Sequence, residues 1–505
     1  MTSTPQTLLT GSAARRPVAP LGNVQAAPAL SHRADTTLIE QLTARFSERI
    51  RQRLLAPGAR LPSVRDCARR HGVSPSTVVA AYDQLQAHGL VEARSRRGFF
   101  VRSSAQESVA GEIRPAVATR MPLPISATTL IRGMFQSPLG QPMPGLGTLP
   151  IDWLDLPLLA GALRKVMRGT ALASALLEYG EPAGDARLRR ALATRLGDIG
   201  VNATPQQIVT TLGATHGLDV VTRSLLKPGD SVLVDEPGWS IEYARLAAMG
   251  MRILPVPRGD DGPDLSTMQR LIDAQPAGQQ PRLYVTVSVL HNPTGASLSL
   301  QTAHRVLQLA QKNRLHIVED DSYAYLAAPH LPRLAALDAL ERTVYIGGFS
   351  KILTPGWRVG FIAAPPELVE RFVDTKLLGT LTTPALTESA LAICLEQGLL
   401  RRHAERISAK LDAARARTVK LALVHGCRCA SPPRGLFGWV DTGVDTEMLA
   451  HQLAAAGWLL APGHLFQATP KASSLMRVNF ASAQDTRFWQ AFVSARNALI
   501  GVTPG

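Results

Sequence analysis

Apolar residues recur at every fourth position through Leu38, Leu42, Phe46, Ile50 and Leu54, with Arg45, Arg49, Arg51 and Arg53 among the residues on other faces. That period predicts one amphipathic helix. Pro57-Gly58 stops it, and Leu61-Pro62-Ser63 restarts the chain, with Ser63 and Asp66 at capping-box spacing for a second helix ending at Gly72. A third helix has dense start signals: Ser74 as N-cap, Pro75 at the first helical position, and Val73 with Val78 as a hydrophobic staple. Val78, Ala81, Tyr82 and Leu85 form its inward stripe, leaving Ser76, Thr77 and Gln84 outward. After Gly89, Leu90 to Ala93 and Phe99 to Val101 read as two short strands joined through Arg94-Ser95-Arg96-Arg97-Gly98. The predicted order over residues 36–103 is helix, helix, turn, helix, hairpin.

Beyond this block the pattern changes twice. Residues 104–145 are rich in Pro, Gly, Ser and Met with little periodicity, which predicts a linker that gains order as it joins the next domain. Over 146–500 short apolar or β-branched runs alternate with helical stretches: 231–234, 252–256, 283–289, 316–319 and 344–347. Such alternation predicts an α/β sheet covered on both faces. The first 35 residues read as a mobile tail. Arg15-Arg16 is followed by no sustained apolar core, so neither an export signal nor a membrane span is expected.

Composition adds little until charge is mapped. With 45% hydrophobic and 18% charged residues, the 505-residue chain fits no disordered or fibrous class. Its net charge of +15 is uneven: residues 36–102 hold twelve arginines, no lysine and five acids. That concentration points to an acidic partner such as DNA. Four cysteines make no disulfide framework, and Cys427-Arg428-Cys429 has no matching pair or histidine cluster to bind a metal. A reducing cytoplasm is the expected compartment.

A helix-turn-helix works by placing the N-terminal residues of its second helix against base edges while nearby groups hold phosphates. Ser74, Ser76 and Thr77 stand at that entrance; Arg60, Ser63 and Arg65 suit backbone contact; Arg94, Arg96 and Arg97 suit a wing that probes the minor groove or phosphates. His71 and His88 read as surface or capping residues. The words PGARLPSVR, GVSPSTV, AYDQL and GFFV, in this order, closely resemble the GntR family of winged-helix regulators. The resemblance implies a winged helix-turn-helix that binds double-stranded DNA.

An aldehyde cofactor needs a lysine for a Schiff base, a carboxylate to keep a pyridine nitrogen protonated, donors around a phenolate oxygen, and a phosphate cup. Lys351 in Gly347-Gly348-Phe349-Ser350-Lys351 follows a predicted strand, with Arg358 seven residues on for the phosphate. Asp320 and, three residues later, Tyr323 end another strand; Asn292 in His291-Asn292-Pro293-Thr294-Gly295 follows a third. Gly213-Ala214-Thr215 opens a helix whose free N–H groups favour a phosphate, and Trp239 suits stacking on a ring. Each piece alone is commonplace; their order is specific. It resembles the fold-type I aminotransferases of class I and II, which implies pyridoxal 5'-phosphate as cofactor. On that resemblance Gly213 to Thr215, Asn292, Asp320, Tyr323, Ser350, Lys351 and Arg358 match cofactor positions, and Arg477 matches an arginine for a substrate α-carboxylate. Tyr179 matches a tyrosine reaching the neighbouring subunit's cofactor phosphate. Gly348 and Trp239 depart from the commoner pattern, the first removing a hydroxyl from the cup.

The two halves together resemble the MocR subfamily of GntR regulators. This implies a homodimer, domain-swapped, that reads paired half-sites and responds to a small amino compound or to the cofactor. A working aminotransferase carrying a DNA module, and a DNA-binding protein whose large domain only dimerises, are the competing readings.

Overall fold

The computed structural model describes residues 37–51, 55, 58–94, 98–101, 132, 143–169 and 172–501. The chain divides into two compact units, residues 1–120 and 121–505. The expected tail, most of the expected linker, Leu54, Arg96 and Arg97 lie outside the described residues, as does the side chain of Arg94.

In the first unit α1 spans Leu38–Arg51, α2 Val64–His71 and α3 Pro75–Ala87, followed by β1 (Val91–Arg94) and β2 (Gly98–Val101). The apolar period explains the packing. Leu42 and Phe46 of α1, Cys67 of α2, and Val78, Ala81, Tyr82 and Leu85 of α3 share one buried core with Val91 and Val101. Tyr82 fastens three elements: its ring meets Phe46 and Phe99 edge-on, at 5.6 and 5.1 Å, and its hydroxyl donates to the Pro62 carbonyl at 3.0 Å. β1 and β2 pair antiparallel with Val91 opposite Val101 and Arg94 opposite Gly98. His71 packs edge-on against Phe46, and His88 caps α3. Gln84 differs from expectation. Its side-chain oxygen accepts the Thr43 hydroxyl at 2.9 Å, so it ties α3 to α1 instead of standing free.

Ser74 caps α3, accepting from the Thr77 N–H at 3.1 Å. Replacing it by Ala leaves that donor without a side-chain acceptor, and the expected loss is about 1 kcal/mol of stability, read by urea unfolding.

The second unit is built on an eight-stranded sheet. Its strands are β3 (Ile208–Thr211), β4 (Ser231–Glu236), β5 (Arg252–Gly259), β6 (Gly262–Pro263), β7 (Leu283–Thr286), β8 (His316–Asp320), β9 (Thr343–Gly348) and β10 (Gly360–Ala363), in the order β3-β10-β9-β8-β7-β4-β5-β6. β5, β4, β7, β8 and β9 run parallel, and β10 is antiparallel to both β9 and β3. The five strands expected from the sequence are present; β3 and β10, of four residues each, were not expected. A smaller antiparallel sheet follows, in the order β11-β12-β14-β13, from β11 (Arg428–Cys429), β12 (Phe437–Asp441), β13 (Ala461–Pro462) and β14 (Leu475–Asn479). Phe488, Trp489 and Phe492 of the helix Thr486–Ile500 fill the core beside it. Met143 to Gly145, expected in the linker, are buried here: Gly145 donates to the Leu459 carbonyl, and Asn479 to that of Pro144, both at 2.8 Å. The second unit therefore begins before residue 146 among the described residues. No helix among them is long and apolar enough to cross a membrane.

Candidate functional site

In open α/β sheets, side chains gather beyond the carboxyl ends of the strands. β3, β4, β7, β8 and β9 all end on one edge here, and each delivers a residue singled out from the sequence.

After β3 the chain turns at Gly213, φ +83°, which caps the helix Ala214–Leu225 and leaves its first N–H groups open. A side chain at Gly213 would strike the Arg358 guanidinium at 2.8 Å. Arg358 itself, also at positive φ, donates to the Leu212 carbonyl at 2.9 Å and to the Ser350 hydroxyl at 3.3 Å. Gly360 on β10 brings that strand against Gly213, since a Cβ there would lie 2.5 Å from the Gly213 carbonyl carbon. Arginine, hydroxyl and helix start thus form a cup for a dianion. Gly348 faces Ala214 with room for a side chain, its nearest neighbours at 3.5 Å, so the missing hydroxyl is not dictated by crowding.

Trp239 after β4, Asn292 after β7 and Asp320 at the end of β8 line one cavity. Asp320 accepts from the Ser322 hydroxyl at 2.5 Å and N–H at 3.0 Å. Burial raises its pKa to about 6, against these hydrogen bonds and with a further push from Glu242. Glu242 was not anticipated. It lines the same cavity, held by two hydrogen bonds from Arg245 at 2.6 and 3.1 Å. Its place in the first turn of an ordinary-looking helix carries no sequence signal. The neighbouring acids have other duties: Glu319 accepts the Leu334 and Ala335 N–H groups, and Asp321 pairs with Arg333 at 2.6 Å.

Lys351, just beyond β9, and Arg477, on β14, converge on Gly147: a Cβ there would lie 3.5 Å from the lysine Nζ and 3.7 Å from both terminal guanidinium nitrogens. Burial, with Arg477 adding repulsion, lowers the Lys351 pKa to about 8. Arg477 is buried beneath Phe437 and Phe466 and donates to Asn292 Oδ1 at 2.9 Å and to the Gly145 carbonyl at 2.6 Å. Tyr323 lies buried with its ring edge-on to Phe437. Gly145 and Gly147 also escaped the sequence reading, although the run Met143-Pro144-Gly145-Leu146-Gly147 could have been read as a close backbone approach. Tyr179 stands apart, 82% exposed.

These residues fit pyridoxal phosphate. Asp320 makes no ion pair among the described residues, as suits a carboxylate facing a protonated ring nitrogen, and Arg477 Nε is buried without a hydrogen bond. The cup at Gly213 suits the phosphate.

In the first unit, Arg65 and Ser76 are exposed. The hydroxyl of Ser74 hydrogen-bonds those of Ser76 and Thr77 at 2.7 and 2.8 Å, and the Ser63 hydroxyl donates to Asp66 at 2.6 Å while capping α2. Arg60 bridges to Phe100 through its backbone, and its guanidinium lies beside Gly98 at the base of the wing.

Fold and site together define a two-part protein, a winged-helix reader followed by an aminotransferase-type domain. The chain belongs to the aminotransferase class I and II family, matched over residues 154–491, and residues 38–101 match the gntR family of bacterial regulatory proteins. It is 26% identical to the HTH-type transcriptional regulator YisV of Bacillus subtilis, covering 90% of this chain and 95% of the relative. To the probable rhizopine catabolism regulatory protein MocR of Rhizobium meliloti it is 29% identical, over 84% and 83% of the two chains. The crystal structure of LysN, an α-aminoadipate aminotransferase from Thermus thermophilus complexed with N-(5'-phosphopyridoxyl)-L-leucine, superposes with a TM-score of 0.67 at 25% identity, covering 74% of this chain and 96% of that one. The architecture is that of the MocR subfamily.

Proposed function

We propose that this chain is a DNA-binding transcriptional regulator whose aminotransferase-type domain carries pyridoxal phosphate on Lys351 and responds to an amino compound or to the supply of the cofactor. The observation that carries this reading is the presence, in one chain, of a gntR reader with an exposed recognition-helix entrance and of Lys351, Asp320 and Asn292 at one sheet edge, with Arg477 of the smaller sheet meeting Asn292. The cofactor supplies an aldehyde that combines reversibly with amines. The chain's own residues then have separate tasks. Ser350, Arg358 and the open N–H groups at Ala214 and Thr215 hold the phosphate, and Asp320 keeps a proton on the ring nitrogen. Trp239 covers the ring face. Asn292 and Tyr323 donate to the phenolate oxygen, Lys351 offers an amine that is easily deprotonated, and Arg477 receives a carboxylate. Differential affinity of the ligand for two conformations shifts DNA binding.

The reading extends to a cytoplasmic homodimer, domain-swapped, that reads paired half-sites, with Tyr179 reaching the partner's phosphate. Ser74, Ser76 and Thr77 face base edges; Arg60, Ser63 and Arg65 hold the backbone; Arg94, Arg96 and Arg97 form the wing contact. Arg65→Ala is expected to weaken DNA binding uniformly across sequences and to lower the slope of log affinity against log salt by about 1, measured by fluorescence anisotropy.

The complete set of Lys351, Asp320 and Arg477 also favours a second reading, a working transaminase. A panel of amino donors and 2-oxo acceptors separates the two: slow or absent turnover supports the regulator, and rapid multiple turnover overturns it.

A further inference from the structure

The helix Leu399–Val424 carries seven basic and two acidic residues. At about 100° per residue, Arg402, Arg406, Lys410, Arg417 and Lys420 fall within an arc of roughly 80°, and both acids, Glu405 and Asp412, lie outside it. A neighbouring face, centred about 120° away, is anchored: Ile407, Leu411, Ala414 and Ala422 are buried in the second unit. The cations therefore stand on a rigid rod, in a row that spans about 27 Å.

The row is poorly explained as a stabilising feature. Like charges at i, i+4, such as Arg402 with Arg406 and Arg406 with Lys410, destabilise a helix by about 0.2–0.5 kcal/mol each. Arg406 is the one cation of the row paired with an acid among the described residues, meeting Asp155 at 2.6 Å. Lys410 lies over the Trp153 ring, and Arg402 donates to the Gln397 carbonyl. Arg417 and Lys420, both exposed, make no hydrogen bond or ion pair among the described residues. A row of exposed cations in which only Arg406 is ion-paired among the described residues suits the phosphate array of a duplex, which carries about one charge per 1.7 Å of axis.

We infer that this helix is a second DNA-contacting surface, holding the phosphate backbone of a duplex without base readout. The inference rests on the DNA-binding reading above. It concerns the effector domain, where neither the gntR match nor the aminotransferase match assigns a DNA contact.

The test compares full-length proteins on one labelled mixed-sequence duplex of about six helical turns, with anisotropy titrations across a salt series. Arg402→Ala/Arg417→Ala/Lys420→Ala is expected to lower the salt slope by about 2–3. A control losing the same charge elsewhere on the domain, Lys227→Ala/Arg305→Ala/Lys312→Ala, keeps the wild-type slope. Arg402→Lys/Arg417→Lys keeps it as well, because phosphates are met here as point charges. A wild-type slope in the alanine variant, or an equal drop in the control, overturns the inference while leaving the reader intact. Failure of the wild-type protein to bind any duplex overturns the DNA-binding reading itself.

Discussion

Lys351→Ala protein mixed with pyridoxal phosphate and passed through a desalting column is expected to emerge without the visible absorbance that the parent protein retains. On the proposed reading the amine at Lys351 holds the aldehyde through a covalent bond, and the remaining contacts are non-covalent. Retained absorbance in the variant would remove Lys351 from its assigned place. The same lysine gives a pH signature. Its amine is deprotonated above a pKa of about 8, lowered chiefly by burial and then by Arg477. Only the neutral amine attacks a carbonyl, so the rate of cofactor uptake by the apoprotein should rise with pH and level off above about 8. An ordinary lysine, near 10.4, would still be gaining. Stopped-flow uptake curves between neutral and alkaline pH distinguish the two.

Asp320→Asn should have the next largest effect on the cofactor. Of the carboxylates lining the cavity, Glu242 is engaged by Arg245 and Asp235 by Arg258, which leaves Asp320 for a protonated ring nitrogen, and a hydrogen bond to a charged group contributes about 1.5–3 kcal/mol. Cofactor affinity is therefore expected to fall on the order of 10- to 100-fold, read by equilibrium dialysis. In the parent protein Asp320 titrates near 6, raised by burial. Below that pH it is protonated in the empty site and cannot pair with the ring cation. Affinity should weaken as pH falls through about 6. In the Asn variant this acid limb disappears, and persistence of the limb would assign it to another group.

The reader was legible in the sequence because its signals are local. Ser63, Ser74, Pro75 and Gly72 mark helix ends by their own backbone chemistry, and the apolar stripe of α3 names its buried residues directly. The candidate site was legible in a different way, through residues expected to end strands and found there: Asp320 on β8, Lys351 after β9, Asn292 after β7. What remained hidden depends on tertiary approach. Glu242 lines the cavity together with Asp320 of a distant strand, and Gly360 matters only because β10 lies against Gly213. β3 and β10, four residues each and buried throughout, show no alternation of apolar and polar positions to mark them. Gln84 looked free because its partner, Thr43, is 41 positions away.

The Gly145 carbonyl accepts from the same guanidinium that would receive a ligand's carboxylate. Asn479 adds a second grip, donating to the carbonyls of Leu146 and Thr148 at 2.9 and 2.7 Å. This stretch belongs to the first continuous run of described residues in the second unit, which begins at Met143. On the proposed reading, a carboxylate seated on Arg477 would share that guanidinium with the Gly145 carbonyl, so that ligand and backbone would compete for the donors of one side chain.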